Sequence, residues 1–245
     1  MTLPFINPFA LTDRSVLITG AAGGIGGATA RLCASLGARL IVADREAPDT
    51  LAAELAAAGH SVDAVGFDVR DRAATEALIA RIGVPDAAVI NAGFCPWDDW
   101  MDPDWDATFD TVIDINLKGT LHLARALLPG MITRGSGKLV LISSLVARNG
   151  GLRASPHYVA SKGGVSALVK WLARKAAPQA VCVNAICPGP IETPMTAGQD
   201  FDIDAIPMQR LGLADEVAAP AAFLCSDGAQ YMTGAVLDVN GGAYV

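Results

Sequence analysis

A chain of 245 residues can hold one large α/β domain or two small ones. Hydrophobic residues make up 52% of the chain and charged residues 18%, which is enough apolar material for a sizeable core. The net charge is −7 and no Lys/Arg cluster occurs, so nucleic acid and anionic membrane surfaces are not expected partners.

No apolar run is long enough and unbroken enough to predict a membrane span, and the N-terminus lacks the basic and apolar regions of a secretory signal. The five cysteines show no metal-ligand spacing and are odd in number: Cys33, Cys95, Cys182, Cys187 and Cys225. We therefore expect a cytoplasmic protein with reduced thiols, no metal site and no membrane partner.

Predicted strands and helices alternate along the chain. Apolar runs rich in strand formers predict strands at residues 15–19, 39–43, 61–67, 87–90, 138–142, 180–186 and 235–239. Helices are predicted at residues 28–36, 50–58, 72–82, 154–175 and 214–224, with two more inside 104–134 that separate near residues 116–119. This order predicts an α/β fold, a doubly wound Rossmann-type parallel sheet of about seven strands with helices on both faces. We find no linker or repeat, and predict a single dinucleotide-binding and catalytic domain over residues 1–245.

A glycine-rich turn follows the first predicted strand. The segment Gly20-Ala-Ala-Gly-Gly-Ile-Gly26 lies between that strand and the first helix. Glycines let backbone N–H groups approach a pyrophosphate, which then lies at the positive end of the helix. Strand, turn and helix together predict a dinucleotide site.

Asp44 ends the second predicted strand and bears on the choice of dinucleotide. It lies 24 residues after Gly20, near where dinucleotide-binding folds place the acid that binds the adenosine ribose. A carboxylate there repels a 2′-phosphate, and residues 20–26 include no Lys or Arg that would attract one. The neighbouring Arg45 is a cation that could reach a phosphate, but Asp44 should outweigh it. We expect NAD rather than NADP as the cofactor.

Tyr158 and Lys162 lie four residues apart in a predicted helix, so their side chains share one helical face. A free tyrosine, with a pKa of about 10, is a poor base at neutral pH. A nearby ammonium stabilises the phenolate and lowers that pKa. The pair therefore predicts a general acid/base.

From Thr19 to its C-terminus the chain resembles the short-chain dehydrogenase/reductase family. The matching pieces, in order, are Thr19-Gly20-x-x-x-Gly24-x-Gly26, Asp68, Asn91-Ala92-Gly93, Asn116, Ser144, Tyr158-x-x-x-Lys162 and Pro188-Gly189…Thr193. Each piece alone is weak evidence, whereas all of them in this order are highly specific.

The resemblance implies a role for each matched residue. The implied cofactor-binding residues are Gly20, Gly24, Ile25, Gly26, Asp44, Asp68, Val69, Asn91, Ala92, Gly93, Tyr158, Lys162, Pro188, Gly189, Ile191 and Thr193. Of these, Asp68 and Val69 would border the adenine, and Ile191 and Thr193 the carboxamide. Tyr158 would be the acid/base, Ser144 would bind the substrate oxygen, and Asn116 would hold a water of the proton relay. Lys162 would bind the nicotinamide ribose and lower the tyrosine pKa.

The chain departs from the family pattern in two places. Ser144 and Tyr158 are 14 residues apart, one more than the commonest spacing, so the intervening loop differs. Ser143 is the alternative to Ser144, although adjacent strand residues point to opposite faces. Residues 194–210, which form a lid over substrate in relatives, make only a short segment here.

The candidate substrate-pocket residues are mostly apolar. They are Phe94, Cys95, Trp97, Val146, Leu152, His157, Pro190, Met195 and Phe201. An apolar wall favours a small to medium, largely uncharged alcohol or ketone with an aryl or alkyl substituent. Arg148 and Arg153 are the cations that could bind an anionic substrate, and otherwise are solvated loop charges.

These observations predict an NAD-dependent oxidoreductase that interconverts a secondary alcohol and its ketone. A 3-oxoacyl thioester (acyl-carrier-protein) reductase is the first alternative, because the tail from Met232 to Gly242 resembles that subgroup. A non-catalytic dinucleotide sensor is the second, although a sensor needs no Ser144, Tyr158 or Lys162. The resemblance also implies a homotetramer, and the apolar C-terminal tail suits burial against a second copy.

Overall fold

The computed structural model describes residues 7–151 and 153–245. Strands within these ranges are β1 (Ser15–Thr19), β2 (Arg39–Asp44), β3 (Val62–Gly66), β4 (Ala87–Ile90), β5 (Gly137–Ile142), β6 (Val181–Pro188), β7 (Ile191–Glu192), β8 (Gly212–Leu213) and β9 (Val236–Val239). The α-helices are α1 (Gly24–Ser35), α2 (Asp49–Ala57), α3 (Arg72–Ile82), α4 (Trp105–Ile113), α5 (Gly119–Arg134), α6 (Val146–Asn149), α7 (Pro156–Ala176) and α8 (Ala214–Cys225). In the described ranges, none of these helices has the length and apolar character needed to cross a membrane.

Seven strands form one parallel sheet in the order β3-β2-β1-β4-β5-β6-β9. The chain moves outward from β1 to β3 and then returns to place β4 on the other side of β1, so the winding direction changes there. In open α/β sheets ligands bind beyond the carboxyl ends of the strands at such a switch point. The predicted doubly wound Rossmann-type fold is confirmed.

Apolar side chains cover both faces of the sheet, as a sheet buried between two helical layers requires. On β1, Leu17 packs into the core that includes residues of α5 and α7, whereas Val16 and Ile18 pack into the core with α1 and α8. Alternate residues of β5 divide in the same way. The sheet is thereby fixed on both sides, and its carboxyl edge is a rigid platform for the site.

Several element boundaries differ from the predicted ones. Helix α1 begins at Gly24, inside the glycine-rich turn and before its predicted start at residue 28. The sequence did not reveal this first turn, because its glycines carry no apolar pattern. Strand β6 continues to Pro188, and the segment between Ser144 and Tyr158 contains the short helix α6, which the sequence did not predict. Between α4 and α5 the chain does not break but widens into a π-turn, Asp114–Lys118.

Candidate active site

The glycine-rich turn is packed so tightly that it has no room for side chains at two positions. Gly20 has a φ of 68°, and a Cβ on Gly26 would lie 2.1 Å from the carbonyl oxygen of Gly20. The Asn91 amide crosses from β4 and donates to the carbonyl oxygens of Thr19 (3.1 Å) and Gly20 (2.9 Å). Strand, turn and helix N-terminus therefore form a rigid cradle at the switch point, and it fits a dinucleotide pyrophosphate.

A cavity of about 590 Å³ extends from this turn along the carboxyl edge of the sheet. Ten of the predicted cofactor residues line it: Gly20, Gly24, Ile25, Asp44, Asp68, Val69, Asn91, Ala92, Gly93 and Thr193. Gly26 lies buried beneath the turn. The other five, Tyr158, Lys162, Pro188, Gly189 and Ile191, line an adjoining cavity of about 390 Å³.

Carboxylates and guanidiniums alternate at the end of the cavity beyond β2 and β3. The Asp44 carboxylate accepts hydrogen bonds from the backbone N–H groups of Ala22 (3.0 Å) and Arg45 (2.7 Å). Arg70 holds Asp68 at 2.6 Å, and this hydrogen bond is the main reason that the pKa of Asp68 is lowered. Arg45 and Arg70 both line the cavity, and no motif in the sequence points to Arg70.

Tyr158 and Lys162 lie one helical turn apart on α7, as their spacing predicts. The Lys162 ammonium is 5.8 Å from the centre of the Tyr158 ring and donates to the carbonyl oxygen of Ile142 at 2.9 Å. Burial lowers the pKa of Lys162 to about 8.

The pKa of Tyr158 differs from our expectation. Burial raises the pKa of Tyr158 above its ordinary value, while the neighbouring Ser144 hydroxyl lowers it in part. Because the ammonium is directed to the Ile142 carbonyl, it does not offset the cost of burying a phenolate. The phenol is therefore protonated at neutral pH in this arrangement.

The structure distinguishes the two adjacent serines after β5. Ser143 is buried, and its hydroxyl contacts the carbonyl oxygen of Lys162 (2.9 Å) and the hydroxyl of Ser166 (2.8 Å). Both serines line the smaller cavity, but the Ser144 hydroxyl has no such buried partners and, within the described residues, accepts a hydrogen bond only from the Val146 N–H, at 3.4 Å. Ser144 is thus the serine whose hydroxyl is available at the cavity.

Asn116 lies in the π-turn between α4 and α5, where its side chain holds the loop after β4. Its amide donates to the carbonyl oxygen of Phe94 (2.9 Å) and to Ser161 (3.0 Å), and accepts from the Phe94 N–H (2.8 Å). With these three bonds the side chain is a clamp that joins the loop to α7, and the Asn116 backbone carbonyl accepts from the Thr120 hydroxyl at 2.7 Å.

A second clamp, which no pattern in the sequence predicted, joins this loop to the start of α7. The Asp98 carboxylate contacts the Ser155 hydroxyl and lies 3.0 Å from Nε2 of His157. His157 is fully buried and stacks on Trp105 with ring centres 5.3 Å apart. His157 was a candidate substrate-pocket residue, and that was wrong: it does not line the smaller cavity, because its ring is buried between Asp98 and Trp105.

The smaller cavity has a mainly apolar wall. Six of the residues expected there line it: Cys95, Trp97, Val146, Pro190, Met195 and Phe201. Phe94 instead lines the larger cavity, and Leu152 lies outside the described residues. Burial raises the pKa of Cys95 to about 12, so its thiol is neutral.

Residues 194–210 cover this cavity through contacts with the loop after β4. The Trp97 indole N–H donates to the carbonyl oxygen of Met195 at 3.0 Å, and its ring meets Phe201 edge to face at 5.9 Å. The segment is therefore an ordered cover here, even though it is short.

The two arginines near the cavity have different surroundings. Arg148 is committed to Asp238 through two hydrogen bonds of 3.0 and 3.1 Å, and it also donates to the carbonyl oxygen of Val236. It does not line the smaller cavity, whereas Arg153 does. The structure thus excludes Arg148 as an anion-binding residue of this cavity, since its guanidinium is neutralised elsewhere.

Comparisons with known proteins agree with this geometry. Residues 20–244 match a family model described as enoyl-(acyl carrier protein) reductase. Oxidoreductase UcpA of Salmonella typhimurium is 40% identical, with 95% of each chain covered. The 3-oxoacyl-[acyl-carrier-protein] reductase FabG of Thermotoga maritima is 36% identical, with 96% of this chain and 99% of the relative covered.

A solved structure from Agrobacterium tumefaciens, described as a candidate 2-deoxy-d-gluconate 3-dehydrogenase with bound NADP, is also similar. It superimposes with a TM-score of 0.90 at 36% identity, with 97% of this chain and 99% of that chain covered. Fold and site together define a dinucleotide-binding oxidoreductase. The chain belongs to the short-chain dehydrogenase/reductase family.

Proposed function

We propose that this protein, acting as a single dinucleotide-binding and catalytic domain in the cytoplasm, is an NAD-dependent oxidoreductase that interconverts a secondary alcohol and its ketone. The observation that supports this most is the meeting of the two cavities. Both are lined by Ile25, Asn91, Gly93, Thr193 and Met195, and Tyr158 and Ser144 line the smaller one beside them. A reacting carbon in the smaller cavity would thus lie next to the dinucleotide cavity.

Residues of the larger cavity, together with Lys162 of the smaller one, would hold the cofactor. The glycine-rich turn would bind its pyrophosphate, Asp44 its adenosine ribose, Asp68 and Val69 its adenine, and Lys162 its nicotinamide ribose. When bound, the nicotinamide accepts a hydride from an alcohol or supplies one to a ketone.

The chain's own part is to move one proton at the substrate oxygen. Ser144 would hold that oxygen against Tyr158, which takes its proton in oxidation and returns it in reduction. Because burial keeps the phenol protonated, ketone reduction begins from the ready form, whereas oxidation needs the proton removed first. Lys162, and a water held by Asn116, would carry that proton onward.

The substrate's apolar body would fill the smaller cavity. Burying apolar surface there contributes about 25 cal/mol per Å², which favours an aryl or alkyl substituent over a polyol. The test is a screen for reduced cofactor with NAD across secondary alcohols, sugar acids and hydroxyacyl thioesters. We expect turnover of secondary alcohols with aryl or alkyl groups, and no reduced cofactor with any of them would contradict the proposal.

A second candidate is reduction of a 3-oxoacyl thioester on an acyl carrier protein. The description of the matching family model and the likeness to FabG favour it. Against it, an acidic carrier protein would meet a chain whose own net charge is −7. In the same screen, a tenfold or greater lead of hydroxyacyl thioesters, about 1.4 kcal/mol in transition-state binding, would favour this candidate.

NAD is expected to bind more tightly than NADP. Asp44 would lose its ribose contacts and meet a like charge, which costs on the order of 2–4 kcal/mol, or roughly 30- to 1,000-fold in affinity. Titration of both cofactors measures this, and Asp44→Asn should narrow the gap by roughly tenfold or more. Asp63→Asn is a matched control, because its side chain is 70% exposed at the far edge of the sheet.

Arg45 is the residue that would defeat this expectation. Within the described residues Arg45 forms no salt bridge, whereas Arg70 is paired with Asp68. Arg45 is therefore the guanidinium of this cavity that could bind a 2′-phosphate, and the similar Agrobacterium structure holds NADP. Equal affinity for the two cofactors would mean that Arg45 binds the extra phosphate.

We propose a homotetramer as the working assembly. Strand β9 is the edge of the main sheet and pairs on one side only, with β6. Trp171 on α7 is 58% exposed, a large apolar area to leave in water. Light scattering at micromolar concentration is expected to give four times the chain mass, and a monomer would contradict the proposal.

A further inference from the structure

Of the two cations that line the smaller cavity, only Arg153 has neither a salt bridge nor a side-chain hydrogen bond within the described ranges. Three charged groups line it: Lys162, Arg153 and Asp202. Lys162 is buried, lies 5.8 Å from the centre of the Tyr158 ring and donates to the Ile142 carbonyl. Arg153 is exposed and, in the part of the chain that the structure describes, forms no salt bridge or side-chain hydrogen bond.

The backbone near Arg153 is held in place. Two residues further on, Ser155 is buried, and its hydroxyl donates to the carbonyl oxygen of Asp98 at 2.8 Å. Helix α7 then begins at Pro156 and brings Tyr158 to the same cavity. The guanidinium and the phenol are thus presented from one anchored segment, five residues apart in the chain.

The cavity composition indicates what this cation binds. Apolar side chains, among them Trp97, Val146 and Phe201, form most of the wall of this cavity. A guanidinium binds a carboxylate through two parallel hydrogen bonds, which a hydroxyl or an amide cannot reproduce. Asp202 also lines this cavity, and its negative charge disfavours a doubly charged phosphate more than a single carboxylate.

We propose that Arg153 binds a carboxylate of the substrate, so that the substrate is a hydroxy acid, or its oxo acid, with an apolar body between the two polar ends. This inference rests on the proposed alcohol oxidation and revises our expectation of a largely uncharged substrate. Arg153 would act as a specificity-determining residue and takes no part in the proton transfer at Tyr158.

The experiment compares acids with amides of the same shape. The alcohols are the 3- and 4-isomers of (1-hydroxyethyl)benzoate and the corresponding neutral benzamides, each oxidised with NAD. We expect kcat/KM to be at least roughly tenfold higher for the better acid than for its amide, about 1.4 kcal/mol. Arg153→Gln should remove that lead without changing amide turnover more than about twofold, and Arg153→Lys should keep part of it. Arg81→Gln, at an exposed position on α3, is the control.

Binding separates this inference from the proposed function. The ketone products, acetylbenzoate and acetylbenzamide, are titrated into the complex of the enzyme with NADH, followed by its fluorescence. If the acid binds more tightly than the amide and Arg153→Gln abolishes that difference, the carboxylate site is supported. This holds even if no alcohol is oxidised, because absence of oxidation would contradict only the proposed function. Equal binding of acid and amide, or an equal loss for both in Arg153→Gln, would overturn the inference while leaving alcohol oxidation intact.

Discussion

Replacement of Tyr158 by phenylalanine is expected to lower kcat for alcohol oxidation by roughly 100- to 10,000-fold, the range typical of a lost general acid/base. The phenol is on α7 and lines the same cavity as Ser144, and phenylalanine keeps the ring but not the proton. Dinucleotide affinity should stay within about twofold, because the rest of the cradle is unchanged. Steady-state kinetics and a cofactor titration on the same preparation measure both quantities.

The chain offers a matched control for this change. Tyr231 is fully exposed, so Tyr231→Phe removes the same hydroxyl from a solvated position and should leave kcat unchanged. If Tyr158→Phe retained more than about a tenth of the wild-type kcat, the proton would have another path and the assigned acid/base would be wrong.

Substitution of Gly26 by alanine is expected to weaken dinucleotide binding by roughly 100-fold or more, about 2.7 kcal/mol. Its Cβ would lie 2.1 Å from the Gly20 carbonyl oxygen and 2.7 Å from the Asn91 amide nitrogen. Since both neighbours are parts of the cradle, the turn must open, and its N–H groups then no longer converge. Isothermal titration with NAD gives the affinity.

Gly23→Ala in the same turn is the control. Gly23 has an extended backbone with a φ of −168°, and its Cβ would meet only Pro194 at an ordinary 3.8 Å. We expect its affinity for NAD to stay within about threefold of wild type. Circular dichroism and thermal unfolding of both variants separate a distorted turn from a misfolded chain. A correctly folded Gly26→Ala with wild-type affinity would show that the turn does not hold the dinucleotide.

Features encoded by local patterns could be predicted from the sequence. The strand–turn–helix around Gly20, the carboxylate at the end of β2 and the Tyr158/Lys162 face each depend on residues close together in the chain. The alternation of strands and helices then leaves few topologies, and the observed strand order is one of them.

Features that depend on tertiary contacts could not be predicted. Asp98 and His157 are 59 residues apart, and Arg148 and Asp238 are 90 apart. Arg148 and Arg153 look alike in the sequence, yet only the fold shows that one is neutralised by Asp238 while the other lines the cavity. The tyrosine pKa is a similar case, because the burial that raises it is a property of the assembled site.

Hydrogen is expected to move as hydride between a carbinol carbon and a nicotinamide bound beside Tyr158, and the proposed function depends on this step. The decisive experiment uses a secondary alcohol that the enzyme oxidises, deuterated at the carbinol carbon, with NAD in a single turnover. Mass spectrometry should show one deuterium in each molecule of reduced cofactor, and one molecule of ketone should form for each cofactor reduced. Tyr158→Phe should form neither reduced cofactor nor ketone at a comparable rate. Reduced cofactor without deuterium, or ketone formed without reduced cofactor, would mean that no hydride passes from the alcohol to the nicotinamide.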